Sequence, residues 1–180
     1  MQLLESPDSW LDKTVKPFDF DELDAVQLSG EMAKIMMDKQ GIGLAANQVG
    51  VDAQIFVMRP LLHPEVTKPF AIINPKILEV SEETHTGPEG CLSHPGLVLK
   101  VKRPVKLVAQ FLDIDAKECI LEFSGIDARC FLHEYDHLNG IEFTDRVSKL
   151  KLDMAKKKLN KQKRKVNNGW TEQRTTTSIW

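Results

Sequence analysis

His133-Glu134-Tyr135-Asp136-His137 sets two imidazoles four residues apart with a carboxylate next to the first. At 3.6 residues per turn this spacing brings both histidines to one face of an α-helix, where they can reach a single metal ion. Glu134 stands beside them, placed to act as a general base. Ile126, Cys130, His133 and His137 recur at spacings of four, three and four, so the face that carries the ligands continues as an apolar stripe. That is the pattern of a helix walling a buried metal pocket. The fold has to wrap this helix.

The surrounding chain supplies the wrapping. Ser124-Gly125-Ile126-Asp127 has the form of a capping box and Asn139-Gly140 that of a C-terminal stop, which brackets the motif helix at 125–139. Leu28, Met32, Ile35 and Met36 fall at helical spacing between an Asp21 or Asp24 start and a Gly41 end, so 21–40 reads as an N-terminal amphipathic helix. Strand-like runs follow at 54–58, 71–73, 77–80, 97–101, 105–111 and 119–123, the last two alternating with period two. A third helix is expected from Thr144 or Asp145 to about Val166, with Val147, Leu150, Met154 and Leu159 as a partial apolar stripe and a loose tail beyond. The class is α+β: mixed, mainly antiparallel sheets packed around a central HExxH helix, flanked by an N-terminal helix and a basic C-terminal one.

Charge divides the chain in two. Residues 1–145 carry 13 Lys/Arg against 24 Asp/Glu, and residues 146–180 carry 11 against 2. An acidic catalytic domain at 1–145 therefore precedes a basic helix and tail at 146–180, a composition suited to a polyanion such as nucleic acid or to a solvated helix. At 180 residues the chain builds a core without disulfides, and the odd set of Cys91, Cys119 and Cys130 fits a reducing compartment. No apolar run spans a bilayer and no secretory or transit signal opens the sequence, so a cytoplasmic address is expected.

A catalytic metal held by two histidines needs a third protein ligand and an open position. Downstream, Glu142 lies too close and Glu172 lies in the tail, and no histidine follows His137. Upstream, Glu89-Gly90-Cys91-Leu92-Ser93 presents a thiol at a glycine-flanked turn, and Cys91 is taken as the ligand. Cys130, one turn before His133, stays as a rival; Cys119 reads as structural. The remaining piece, Gly41-Ile42-Gly43-Leu44-Ala45-Ala46-Asn47-Gln48, means by itself only a tight turn and close backbone packing.

In this order, Gly-Ile-Gly-Leu-Ala-Ala-x-Gln, Glu-Gly-Cys-Leu-Ser and HExxH closely resemble the three signature motifs of the peptide deformylase family. Ile73-Asn74-Pro75, Arg103-Pro104 and His137-Leu138-Asn139-Gly140 match as well, and the resemblance runs over residues 8–143. It implies hydrolytic removal of the N-formyl group from formyl-methionyl nascent peptides, with release of formate. It further implies one divalent metal, Fe(II) in the cell with zinc, nickel or cobalt as alternatives, on Cys91, His133 and His137. Glu134 is then the acid–base, and the Gln48 amide and Leu92 N–H are the donors to the formyl oxygen. Ile42, Ile126 and Cys130 line a methionine slot, and Gly43 and the stretch Gly87, Glu89, Gly90 hold the peptide backbone. The basic C-terminal helix resembles one that docks such enzymes at the ribosome, and a monomer is expected.

Two rivals are weighed against this. A peptide-bond-cleaving HExxH metallopeptidase has no reason to carry the Cys91 and Gln48 motifs, and an inactive binding protein would have lost Glu134 or a ligand. The chain departs from the family pattern at Leu132, where glutamine is usual, and at His94, where a hydrophobe is common; His94 reads as a partly exposed polar residue. Asp136 faces Arg103, Arg129 or solvent.

Overall fold

The structure is a computed structural model that describes residues 1–62 and 68–167, with side chains described to residue 164. The element order is α1 (Ala25–Asp38), β1 (Gly43–Ala45), β2 (Ile55–Met58), β3 (Phe70–Val80), β4 (Thr84–Glu89), β5 (Leu99–Pro104), β6 (Lys106–Leu112), β7 (Glu118–Ser124), α2 (Gly125–Leu138) and α3 (Lys149–Asn167), with 3-10 turns at Ala46–Val49 and Phe143–Arg146. Five strands form one antiparallel sheet in the order β1-β2-β3-β6-β7, and β4 and β5 form a separate hairpin. The α+β expectation holds.

Strand β2 explains the layering. Its residues Ile55 and Val57 pack with Met32 and Met36 of α1, while Phe56 and Met58 on the other face pack with Ala128, Cys130, Phe131 and Leu132 of α2. Successive strand side chains point to opposite faces, so a strand covered on both sides reads as an unbroken apolar run. The motif helix is thus closed in by the sheet on one side. On another side Arg129 and His133 reach Glu89 at the end of β4.

Helix α1 starts where Asp24 accepts from the Gln27 N–H at 2.9 Å. It ends with a left-handed residue, but that residue is Gln40 (φ 59°) rather than Gly41. The Gly41 N–H bonds back to Met36 O and the Gln40 N–H to Met37 O, closing the last turn. The expected runs 71–73 and 77–80 are one strand, β3, kinked at Asn74 (φ 49°), whose side chain donates to Phe18 O and accepts from the Phe18 N–H. Strand β4 was not expected, because Thr-His-Thr-Gly-Pro-Glu carries no apolar alternation.

The capping box at α2 does not form. Ser124 is the N-cap without a side-chain bond, and the Asp127 carboxylate accepts from the Leu61 and Leu62 N–H groups at 2.7 and 3.0 Å instead. The third helix also begins later than expected. A 3-10 turn takes Phe143–Arg146, Val147 is extended, and α3 starts after Ser148, whose Oγ accepts from the Lys151 N–H. This shift changes which face is buried: Leu152, Ala155 and Leu159 pack beside Leu97, Leu99 and Phe143, whereas Leu150 and Met154 are exposed. The expected tail lies outside the described residues. Among the described residues no helix is long and apolar enough to cross a membrane.

Candidate metal centre and active site

Three elements converge at one point. The turn after β4 brings Cys91, α2 brings His133 and His137, and their ligand atoms all lie within 4.8 Å of one another, buried. Cys91 Sγ is 3.3 Å from His137 Nε2. Cys130, the rival, turns away: its thiol donates to Ile42 O at 3.5 Å. Burial, with the Glu134 charge added, pushes the Cys91 thiol up, and burial together with the His133, His94 and Arg103 charges holds His137 well below the usual imidazole range. A divalent cation among these donors would favour the thiolate, and it takes imidazole in the neutral form that His137 already prefers. One thiolate and two imidazoles suit several divalent transition metals.

A buried charge network stands behind His133. The His133 Nδ1–H donates to Glu89 Oε2 at 3.1 Å, so a metal ion at this cluster would meet His133 through Nε2. Arg103 grips the same carboxylate with two bonds of 2.9 and 3.0 Å, and Arg129 adds a third at 2.7 Å. Burial raises the Glu89 pKa, but the hydrogen bonds from His133 and Arg103 and their charges pull harder and leave it at about 2. Arg103 passes on to Asp136 at 2.6 Å, and Asp136 also holds Arg146 at the start of the C-terminal extension. Asp136 therefore faces Arg103, not Arg129 or solvent. Glu89, grouped above with backbone contacts to the peptide, has its side chain fully committed to this network. Glu89→Gln keeps the shape but loses the charge, and is expected to weaken metal binding about 10–100-fold in a chelator competition.

Glu134 sits beside the cluster with Oε2 lacking a protein partner among the described residues, and burial and the Glu89 charge raise its pKa well above the carboxylate range. Gly43 is what makes room for it, since a Cβ there would collide with Glu134 Oε1. The Gln48 side chain is fixed at both ends: Oε1 accepts from the Ala45 N–H at 2.8 Å, and Nε2 donates to Ser93 Oγ at 3.1 Å and lies 3.4 Å from Cys91 Sγ. One amide hydrogen is thus directed at Ser93 and the other at Cys91 of the donor cluster. The Leu92 N–H, one residue past Cys91, has no protein acceptor among the described residues.

Ile42 and Cys130 are buried and meet through the Cys130 thiol, with Ile126 half-buried one turn away on the same helix. Gly43 opens strand β1, while Gly87 lies in β4 against the His85 ring and the Arg129 guanidinium. Gly90 follows β4 and, with Cys91 and Leu92, borders a cavity of about 250 Å³ that Leu3, Gln40 and Val98 also line. Cys91, His133 and His137 converge with Gln48 beside them and Glu89 behind His133, whereas Ile42, Gly43, Gly87, Ile126 and Cys130 do not line the cavity beside Cys91 and Leu92.

The polypeptide deformylase family model matches residues 1–153. The chain belongs to the polypeptide deformylase family. A peptide deformylase of Agrobacterium fabrum is 40% identical over 159 residues, covering 88% of this chain and 94% of that protein. The crystal structure of peptide deformylase from Ehrlichia chaffeensis superposes with a TM-score of 0.80 at 36% identity, over 93% of this chain and 98% of that one. A peptide deformylase from Synechococcus elongatus in complex with actinonin gives 0.81 at 36% identity, over 88% and 87%. The family is metal-dependent, and the Cys91, His133 and His137 cluster is where this deformylase could hold the ion.

Sequence reasoning missed several partners of the site. Ser93, the acceptor for Gln48, was only the last letter of a motif, and Asn47, whose Nδ2 donates to His137 O at 2.5 Å, was an unassigned position in another. Arg129 was weighed only as a partner of Asp136, whereas it binds Glu89. His94 is partly exposed, as read, but its pairing with Glu142 was missed; the two side chains are 9% and 13% exposed.

Proposed function

We propose that this deformylase hydrolyses the formamide of formyl-methionine at the N-terminus of nascent polypeptides, releasing formate and a free amine. The observation that carries the reading is the convergence of the Cys91, His133 and His137 donors with the Gln48 amide, beside Glu134, whose Oε2 has no protein partner among the described residues, and next to the Leu92 N–H, which has no protein acceptor among them either. Cys91, His133 and His137 would hold a divalent ion, Fe(II) in the cell with zinc, nickel or cobalt as substitutes, and the ion would supply a Lewis acid that lowers the pKa of water toward neutrality.

The chain's own residues do the rest. Glu134 takes the proton of the attacking water and later delivers it to the leaving nitrogen, so that water and formamide become formate and amine. Gln48 Nε2 and the Leu92 N–H donate to the formyl oxygen as negative charge grows on it. Ile42, Ile126 and Cys130 receive the methionine side chain. Backbone groups of Gly43 and of Gly87 to Gly90 pair with the peptide in strand fashion, which demands little of the residues after methionine.

The test is deformylation of formyl-Met-Ala-Ser by protein prepared without oxygen, with formate and free amine both measured. Equal amounts of the two support the reading; cleavage at the Met-Ala bond would favour the peptidase rival, and metal binding without either product would favour the binding protein.

Residues 1–145 form the catalytic unit in this reading, and 146–180 an extension by which a cytoplasmic monomer meets the ribosome. Residues 146–165 hold ten basic residues and one acid, and α3 turns Leu152, Ala155 and Leu159 inward. Co-sedimentation with ribosomes is expected to fall steeply between roughly 50 and 200 mM salt, because RNA phosphates release counterions on binding. Unchanged low-salt co-sedimentation after removal of residues 149–180 would dispose of the docking role.

A further inference from the structure

The mechanism above leaves one enclosed polar pair without a task. His94 Nε2 meets Glu142 Oε2, and the two side chains are 9% and 13% exposed. His94 closes the turn that carries Cys91 and Leu92, its N–H bonding to Cys91 O at 3.0 Å, and its own carbonyl accepts from the Leu97 N–H at 3.0 Å. Glu142 stands three residues beyond the Asn139 C-cap of α2, with its N–H held by Asp145 Oδ2 at 3.0 Å. The His94 ring rests edge-on against Phe143 at 5.4 Å, and Phe143 lies 5.7 Å from the His133 ring. The pair therefore ties the ligand-bearing turn to the chain leaving the ligand-bearing helix. On the same turn, Ser93 is tied to Gln48.

We propose that His94 and Glu142 are positioning residues, which lock the Cys91–His94 turn so that the Leu92 N–H stands ready for the formyl oxygen. The inference rests on the deformylase reading of the site. A turn held at one residue can swivel about it, whereas ties at Ser93 and His94 together fix the direction of the Leu92 N–H. Donors aimed before reaction stabilise developing charge best, so loosening this turn costs turnover more than substrate binding.

The test compares wild type with Glu142→Ala, His94→Ala, the double variant and Glu142→Gln. It measures kcat and KM on formyl-Met-Ala-Ser, bound metal, thermal unfolding, and amide hydrogen exchange of the peptide covering residues 91–98. Each alanine variant is expected to lower kcat by about tenfold with KM within about twofold and metal at wild-type stoichiometry. The double variant should be no worse than either single one, and glutamine, which keeps the hydrogen bond, should recover most of the loss. Faster exchange at 91–98 in fully folded Glu142→Ala protein is the direct signature.

Wild-type kcat and wild-type exchange in the alanine variants would overturn the proposal. So would additive losses, glutamine behaving as alanine, or a loss of kcat that added metal restores. If wild type itself releases no formate, the deformylase reading is what fails, and the exchange comparison still decides whether the pair holds the turn.

Discussion

Glu134→Gln should lower kcat by about 10²- to 10⁴-fold, the range a positioned proton-transfer group contributes, while leaving one metal per chain. Glutamine matches the shape of the carboxylate, so Gly43 still accommodates it and the ligand helix keeps its packing. What disappears is the ability to take a proton from water and hand it to the leaving amine. Because Glu134 is not among the three donors that converge, metal content by atomic absorption should match wild type. KM should change little, since the substitution removes an interaction used in the transition state rather than in substrate binding. A Glu134→Gln protein with full turnover would eliminate the proton-transfer role.

Gln48→Ala is expected to cost about 10²–10³ in kcat, as removal of one donor to a developing oxyanion typically does. The substitution also frees the Ala45 N–H and Ser93 Oγ, which Gln48 bridges, so part of any loss could come from a relaxed turn. Gln48→Glu separates the two effects. It keeps the acceptor for Ala45 but replaces the donating amide with a second acceptor, and it should be as inactive as alanine. Recovery of turnover in Gln48→Glu would show that bridging, not donation, is what the residue supplies.

How far the sequence could be read follows from where each residue's partners lie. The motif helix was legible because its signals are local: ligand spacing, an apolar stripe and an Asn139-Gly140 stop all fall within one stretch. Strand β2 was legible because both of its faces are covered. The buried face of α3 was not, since a basic helix with few apolar residues offers two stripes, and only the break at Val147 and Ser148 decides between them. Asp127 looked like a cap because its spacing from Ser124 was right, yet the Leu61 and Leu62 N–H groups reach it from across the fold. Glu89 is the strongest case. Its partners His133, Arg103 and Arg129 come from β5 and α2, so no pattern along the chain could reveal that its carboxylate holds these side chains rather than facing the cleft. The pairing of His94 with Glu142, 48 residues apart, was invisible for the same reason.

The missing Cβ at Gly43 also bears on resistance to inhibitors. A compound that lies along β1 touches backbone that cannot acquire a side chain, because any substituent there displaces the Glu134 carboxylate. Mutations that evict such a compound by filling the space would disable the enzyme at the same stroke. If Ile42 and Ile126 line the methionine slot as proposed, escape variants under selection should therefore arise there, or through higher expression, and not at position 43.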